Sequence, residues 1–319
     1  MLDILDCLEY ETSENEPLFA LKGGTALNFF VQPLPRLSVD IDLTYCPLDE
    51  RELSLTAMRE GLQRLEQALR VRLAGVQCTN TPSSEGVKLL VRHHGVTVKV
   101  EPNVIIRGTV LPTEIRSLCS EAQGVFKTTV KARCLSEPDL YGGKICAALD
   151  RQHPRDLFDI LPLMRAGKLE ESTRKAFLVY ALSHPRPLAE LIEPHLQPLK
   201  AIFNAEFSGM TRVPVDTERL EEARAWLIQA IHSGLTLDER HFLVSCKKGE
   251  PNWSLAGLPE HVPQLPAVRW KLHNIAELQR RPEQYKKAVS KLEKCLFSPN
   301  QDIKPFKQEP KLVKFSCSS

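Results

Sequence analysis

The sequence predicts an α+β fold in which a small mixed sheet is followed by a mainly helical C-terminal lobe. Short apolar runs with the two-residue alternation of β-strands occur in the first 135 residues. From residue 136 onward, capping residues and helix-starting prolines indicate helices instead. We therefore expect a sheet domain at 1–135, a helical lobe at 136–297 and a tail at 298–319.

The first part of the predicted sheet domain has the pattern strand, glycine turn, short helix, strand. The apolar run at 18–22 is closed by two glycines, and 25–31 predicts a brief helix that two prolines then terminate. Between 38 and 44 every second residue is apolar, so Asp40 and Asp42 share the opposite face of the predicted strand.

A long helix and a hairpin complete this domain. Apolar residues between 51 and 73 recur at steps of three and four, so we expect an amphipathic helix that covers the other face of the sheet. The runs 87–93 and 96–100, separated by His-Gly, predict a β-hairpin. On the second of these strands, Lys99 and Glu101 fall on one face.

Helices dominate the predicted C-terminal lobe. Ser136 and Asp139 form a capping pair at the start of the first, and Thr236 with Glu239 offers a capping box further on. The predicted helices span 136–151, a segment starting at Pro154, and 172–183, 216–232, 236–245, 266–280 and 282–296.

The composition excludes several classes of protein. The 319 residues contain 42 Lys and Arg against 40 Asp and Glu, so the net charge of +2 does not indicate a polyanionic partner by itself. Nine cysteines are scattered without a C-x-x-C pair, which predicts reduced thiols and neither a disulfide framework nor structural zinc. Without a signal peptide or a membrane-length apolar stretch, we expect a soluble cytoplasmic protein.

The tail at 298–319 is expected to be disordered, or to fold only on a partner. Between Lys286 and the end there are eight lysines and three acidic residues. Such a basic segment can contact RNA phosphates without sequence preference, or act only as a solubilising tail.

Paired carboxylates form the strongest candidate site. Asp40 and Asp42 lie on one strand face, and Glu101 on a later strand is the natural third carboxylate. Carboxylates in this arrangement can hold two Mg²⁺ ions around a nucleoside triphosphate (NTP). Glu101 can instead accept the proton of an attacking hydroxyl. A lone D-x-D is usually a solvated strand edge, but the glycine turn that precedes this one favours catalysis.

The turn before the carboxylates offers a place for phosphates. Gly23, Gly24 and Thr25 can present backbone N–H groups and a hydroxyl to the terminal phosphates of an NTP. The segments LKGGTALNFF and RLSVDIDL resemble motif I of the DNA-polymerase-beta-like nucleotidyltransferases, in which a glycine and a small hydroxyl residue precede a D-x-D strand. Fourteen residues separate Thr25 from Asp40, which is longer than the commonest spacing in that superfamily.

Two further segments narrow the resemblance. DLYGGKICAALDRQHPRDLFDI and PAVRWKLHNIAEL resemble the AbiEii/AbiGii toxins, the nucleotidyltransferase toxins of abortive-infection and type IV toxin-antitoxin systems. The resemblance implies a nucleotidyltransferase palm domain and a Mg²⁺-dependent enzyme that transfers a nucleoside monophosphate from an NTP to an acceptor, with an RNA (tRNA) end as the expected class. It also implies growth inhibition and a cognate antitoxin encoded nearby.

The same resemblance assigns roles to particular positions. It carries over Gly24, Thr25, Asp40, Asp42, Lys144 and Asp156, and less directly Ser38, Glu101, Arg151, Arg155 and Asp159.

Other interpretations of the helical positions stay open. Lys144 and Arg151 share one helix face and can meet triphosphate oxygens, although such residues are otherwise ordinary exposed cations. Arg155 and Asp159 can form a simple helix ion pair, and the sequence does not decide between Asp156 and Asp159 as the functional carboxylate.

Two rival functions remain at this point. One is nucleotidyl transfer to a protein or a small molecule, and the other is a non-catalytic, NTP-binding regulatory module. The complete set of carboxylates disfavours the second, because a binding module needs no full metal site.

Overall fold

One seven-stranded mixed sheet organises the N-terminal half of the protein. The structure, a computed structural model, describes residues 1–8, 10, 16–83 and 86–298. The strands are β1 (Phe19–Lys22), β2 (Ile41–Tyr45), β3 (Gln77–Ser83), β4 (Gly86–His93), β5 (Val96–Asn103), β6 (Glu114–Ser117) and β7 (Lys131–Cys134). Their order across the sheet is β3-β4-β5-β2-β1-β7-β6.

Helices surround the sheet and form most of the C-terminal half, which confirms the α+β fold class. A π-helical segment, Leu27–Val31, continues α2, and short 3₁₀ turns occupy Trp253–Leu255 and Val262–Gln264. The α-helices of the described residues are α1 (Leu2–Cys7), α2 (Gly23–Ala26), α3 (Arg51–Arg72), α4 (Ser120–Phe126), α5 (Glu137–Asp150), α6 (Pro154–Ala166), α7 (Glu171–Ser183), α8 (Leu188–Ile192), α9 (Lys200–Glu206), α10 (Thr217–Gly234), α11 (Leu237–Lys247), α12 (Pro266–Gln279) and α13 (Pro282–Phe297).

The centre of the sheet aligns three polar residues in neighbouring strands. β2 pairs antiparallel with β1 and parallel with β5, in a register that places Asp42 opposite both Lys22 and Glu101. The apolar residues Ile41 and Leu43 on either side of Asp42 are fully buried. The alternation of the strand therefore directs the apolar side chains into the core and the carboxylate to the other face.

α3 covers one face of the sheet, as the sequence predicts. Its buried side includes Met58, Leu62 and Leu65, which recur at helical spacing. Gly61 allows close approach to β1, because a Cβ atom there would lie 2.6 Å from Cε2 of Phe19.

α5 and α7 pack closely together in the C-terminal half. A Cβ atom on Gly142 would lie 2.9 Å from the Cβ of Ala176 and from the backbone N of Phe177. α5 also joins the two apolar clusters, since Leu140 packs with the sheet side chains and Ile145 with the helical ones. We keep the predicted boundary after residue 135 as a proposal.

A short backbone pairing connects the segment before β2 to the helical half. Leu37 N donates to Met210 O at 3.1 Å, and Arg212 N donates to Pro35 O at 2.9 Å. Arg36, which lies between these two bonds along the chain, forms a β-bridge with Thr211.

The structure confirms the long predicted helices and the hairpin, whose turn residues His94 and Gly95 both have positive φ. The Thr236–Glu239 capping box is also present. At α5, Ser136 caps the helix, but the carboxylate of Asp139 accepts from the backbone N–H groups of residues 110 and 111 instead of completing a reciprocal pair.

Several short elements were not predicted, and two predicted boundaries were wrong. The short helix begins at Gly23, so both glycines lie inside it, and β2 begins at Ile41, three residues later than expected. The missed elements are α1, α4, α8, α9, β3, β6 and β7. The tail predicted to be disordered spans 298–319. Except for Ser298, it lies outside the described residues.

Candidate active site

The three predicted carboxylates lie around one end of the central strands. Asp42 faces Glu101 across the β2–β5 pair, and Asp40 comes two residues before Asp42, just ahead of β2. The Nζ atom of Lys99 lies 2.7 Å from Oε2 of Glu101. This hydrogen bond, with the charges of Glu101, Asp40 and Asp42, raises the pKa of Lys99. All three carboxylates are therefore close enough to interact electrostatically with the ammonium group of Lys99.

The glycine turn presses directly against these side chains. Gly23 has a φ of +71°, and a Cβ atom on it would lie 2.6 Å from Oδ2 of Asp42. A Cβ atom on Gly24 would lie 2.7 Å from Nη2 of Arg36 and 2.9 Å from Oγ of Ser38. A residue with a side chain would clash at both positions. The backbone of the glycine turn therefore lies directly against the Asp42 carboxylate.

The Thr25 hydroxyl joins the turn to the D-x-D strand. Thr25 is buried, and its Oγ1 donates to the backbone carbonyl of Asp40 and lies 3.0 Å from Oγ of Ser38. The sequence assigned this hydroxyl and Ser38 to the phosphates of an NTP. In the structure the two hydroxyls lie within hydrogen-bond distance of each other, beside the residues that lead into β2. Their contact with phosphate stays a prediction.

Lys144 lies in a buried ion-pair network that spans both halves of the chain. Its Nζ is 2.9 Å from Oδ1 of Asp156 and 2.9 Å from Oδ2 of Asp159. Arg36 binds Asp159 through two bonds of 2.7 Å and 2.6 Å, and Arg151 binds Asp156 at 2.8 Å. Three cations and two anions leave the network with one excess positive charge beside the carboxylates of the site.

The members of this network stay ionised. Burial alone would raise the pKa of Asp156 and of Asp159, but Lys144 and the neighbouring arginines outweigh it, so that both pKa values lie below the ordinary one. Burial would likewise lower the pKa of Lys144, and the two aspartates raise it above the ordinary value. The network is therefore a fixed set of charges.

The pKa of Asp42 changes in the opposite direction. Burial, helped by the nearby Asp40, raises its pKa, and Lys22 and Lys99 offset this only in part. Within the part of the chain that the structure describes, the carboxylates of Asp40 and Asp42 carry neither a hydrogen bond nor an ion pair. The desolvated carboxylate of Asp42, with the unbonded carboxylate of Asp40 and that of Glu101 beside it, is a donor set that suits Mg²⁺.

A cavity of about 480 Å³ opens over this site, a volume within the range of small-molecule sites. Its lining combines charged residues with apolar and aromatic ones. The charged residues are Lys22, Asp42, Glu101, Asp139, Lys144, Asp150 and Arg151, and the apolar or aromatic ones include Ile105, Ile106, Leu135, Leu140 and Tyr180. The cavity thus offers both charged groups and apolar surface to a ligand.

Not every predicted site residue lines this cavity. Arg155 points to the carbonyl of Glu206, at 3.4 Å from its Nη2. The interpretation of Arg155 and Asp159 as a simple helix ion pair is wrong, because Asp159 binds Arg36 and Lys144 instead. Asp156 and Asp159 both belong to the ion-pair network that binds Lys144.

Three residues of the site were missed by the sequence analysis. Lys22 directly precedes the two glycines, and Arg36 directly follows a proline in the segment before the D-x-D strand. Asn28 donates from Nδ2 to the carbonyl of Gly24 at 2.8 Å and so supports the turn. A lysine next to the glycine turn was a usable signal, whereas the contact of Arg36 with Asp159 crosses 123 positions and leaves no local pattern.

Within the described residues, no helix combines the length and apolar character needed to cross a bilayer.

Comparisons with known proteins agree with this architecture. The family model of the nucleotidyl transferase AbiEii toxin, from type IV toxin-antitoxin systems, matches residues 4–274. Among solved structures, the nucleotidyltransferase toxin MenT4 from Mycobacterium tuberculosis H37Rv is similar, with a TM-score of 0.52 and 17% identity over 91% of this chain and 90% of that chain. At this identity the likeness concerns the fold. No curated protein matches the sequence.

Proposed function

Because the chain belongs to the AbiEii family of nucleotidyltransferase toxins of type IV toxin-antitoxin systems, we propose that it transfers a nucleoside monophosphate from an NTP to an RNA end, with tRNA as the acceptor class. The family membership confirms the resemblance seen in the sequence. The observation that carries the proposal is the juxtaposition of Asp40, Asp42 and Glu101 with the Gly23–Gly24 turn, beside a cavity that Asp42, Glu101 and both glycines line.

The proposed reaction needs positioning and charge stabilisation more than covalent help from the protein. An acceptor hydroxyl oxygen forms a bond to the α-phosphorus, the bond from that phosphorus to the β-phosphate oxygen breaks, and pyrophosphate leaves. Glu101, about two-fifths exposed at the cavity edge, is our candidate to accept the proton of the hydroxyl. The backbone N–H groups of the glycine turn contact the terminal phosphates.

Asp40 and Asp42 would hold Mg²⁺, and Glu101 would be the third oxygen donor in the alternative in which it does not accept the proton. When bound, two Mg²⁺ ions supply charge neutralisation on the triphosphate and polarise the α-phosphate. The chain adds its own positive field through the ion-pair network, which has an excess cation and stays ionised. Because the network is held by both halves of the chain, its charges need no reorganisation during the reaction.

The apolar part of the cavity lining would take the nucleobase. Leu135 and Ile105 offer apolar contact, and His184 offers an imidazole. We propose that the ribose and base bind against these residues, because the charged residues contact the phosphates in this arrangement.

The family implies a cognate antitoxin, whose gene we expect nearby. We propose that growth inhibition follows from modification of the RNA end, since a catalyst depletes a shared pool with few copies.

The acceptor can be identified directly. The full chain is incubated with each radiolabelled NTP, Mg²⁺ and either total cell RNA or total cell protein, and the products are separated on a gel. We expect label on RNA of tRNA size with the wild type, and a loss of at least about a hundredfold with Asp42→Asn. Asp238→Asn, which changes an exposed aspartate on α11, is the matched control.

Two results would contradict the proposal. Label on protein would show that the acceptor is a protein and not an RNA. Label transfer by a well-folded Asp40→Ala/Asp42→Ala double variant would show that these carboxylates are not needed for the reaction. Thermal unfolding of each variant shows whether the fold is intact.

A further inference from the structure

Lys22 is the last residue of β1 and lines the cavity. It lies opposite Asp42 in the strand register and directly before Gly23, whose positive φ turns the chain into α2. The residue is half-buried, and its ammonium group makes no hydrogen bond and no ion pair with any residue that the structure describes.

The other cations that line the cavity, and Lys99 beside its carboxylates, already bind carboxylates. Lys144 is bound by two carboxylates at 2.9 Å each, and Arg151 binds Asp156. Lys99, at the edge of the carboxylate group, binds Glu101 at 2.7 Å. Lys22 therefore carries the one positive charge there, among the described residues, that no carboxylate neutralises at ion-pair distance.

Such a placement is unfavourable for a lysine with only a structural role. Lys22 is half-buried beside the glycine turn, and within the described residues no carboxylate lies at ion-pair distance from its ammonium group. An ammonium group that is partly desolvated and unbonded gains most from an anionic ligand. The anion that fits the position is one that can also reach the N–H groups of Gly23 and Gly24.

We propose that Lys22 binds the β- and γ-phosphates of the NTP and stabilises the pyrophosphate as it leaves. The proposal rests on the proposed function and adds a catalytic residue to it. As the bond between the α-phosphorus and the bridging oxygen breaks, negative charge accumulates on the pyrophosphate, next to the ammonium group. Lys22 and the glycine turn then form a leaving-group subsite, while Lys144 acts mainly as a positioning residue for Asp156 and Asp159.

A competing role for Lys22 is to hold Asp42 in its ionised form. The two roles have different consequences, because a contact with the β- and γ-phosphates affects the binding of NTP and not that of the matching monophosphate. A role through Asp42 affects metal binding, and so affects both nucleotides alike.

The test compares binding of one NTP and of its monophosphate to the full chain by calorimetry, with Ca²⁺ in place of Mg²⁺ to prevent turnover. For Lys22→Met we expect NTP affinity to fall by about 10- to 100-fold, with monophosphate affinity unchanged. Lys22→Arg should recover part of the loss, because it restores the charge. Lys131→Met, which removes an exposed lysine on the neighbouring strand β7, is the control and should change neither affinity.

Equal losses for NTP and monophosphate, or no loss at all, in a Lys22→Met variant with wild-type thermal unfolding would overturn the role of Lys22. If the wild type binds NTP and transfers label normally, that result leaves the proposed function standing. A wild-type chain that binds no NTP would overturn both proposals.

Discussion

Asp139 shows how one buried carboxylate ties stability to pH. It lies at the start of α5, almost completely buried, where Oδ2 accepts from Val110 N and Leu111 N at 3.1 Å each. Its Oδ1 has no hydrogen-bond partner among the described residues. Burial raises the pKa of Asp139 to about 7, although the two backbone N–H groups act in the opposite direction.

The direction of this pKa change predicts how stability depends on pH. The folded-state pKa lies above the ordinary value of 3.8, so folding favours the protonated carboxyl group. That contribution is fully present below about pH 4 and is lost as pH rises through about 7, with a loss of up to about 4 kcal/mol. Asp139→Asn should remove this part of the slope, as measured by urea unfolding between pH 4 and 8.

The comparison with wild type isolates the effect of Asp139. Asp156 and Asp159 have lowered pKa values and weaken the fold at acid pH, but they do so equally in both proteins. Parallel stability profiles for the wild type and Asp139→Asn would show that Asp139 titrates normally.

Single residues were predictable from the sequence where a local pattern defines them. Asp40, Asp42 and Glu101 follow from strand alternation, and the structure brings them to one end of the central strands. That Lys144 contacts phosphates stays a prediction; the structure differs from an ordinary exposed lysine in that two aspartates bind Lys144 in a buried network. The difference arises because charge pairing across distant segments, such as Arg36 with Asp159, has no signature in local spacing.

Among the structural elements, α5 depends most on a single glycine. Gly142→Ala would place a Cβ atom 2.9 Å from both backbone and side-chain atoms of α7, and these atoms cannot move independently of the helix. We expect a loss of about 1–3 kcal/mol in the free energy of unfolding, and reduced transfer activity because Lys144 follows two residues later. Chemical denaturation and the label-transfer assay measure these two effects.

The neighbouring glycine provides the control. A Cβ atom on Gly143 would lie 3.5 Å from the ring of Tyr180, which is ordinary contact. Gly143→Ala should therefore leave stability near that of the wild type. Equal destabilisation by both substitutions would show that the α5–α7 contact at Gly142 is not the cause.

Elements were predictable in proportion to their length and apolar periodicity. The helices from α5 to α7 and from α10 to α13 were found, because each has a clear start signal or a buried face. β6 and β7 were missed, since their sequences EIRS and KARC are short and carry charges. Their pairing in the sheet is decided by tertiary packing, which overrides local preference.

For the whole molecule, the proposed function predicts an effect on growth. Expression of the wild-type chain without its partner should arrest a bacterial host at low expression, and Asp40→Ala should not, because the arrest requires turnover. Colony counts after graded induction, at matched soluble levels, measure the difference. Equal arrest by the two proteins would mean that binding, or overexpression itself, causes the effect.

The backbone pairing of Pro35 and Leu37 with residues 210–212 has a consequence for the evolution of this fold. Arg36 sits in that pairing while its guanidinium group holds Asp159, so the stretch leading to the D-x-D strand is shaped by the helical half. A chimaera that joins residues 1–135 to the helical half of a relative would lose this pairing unless both paired segments come from the same protein. The two halves are therefore expected to be inherited as one unit and not shuffled as independent modules.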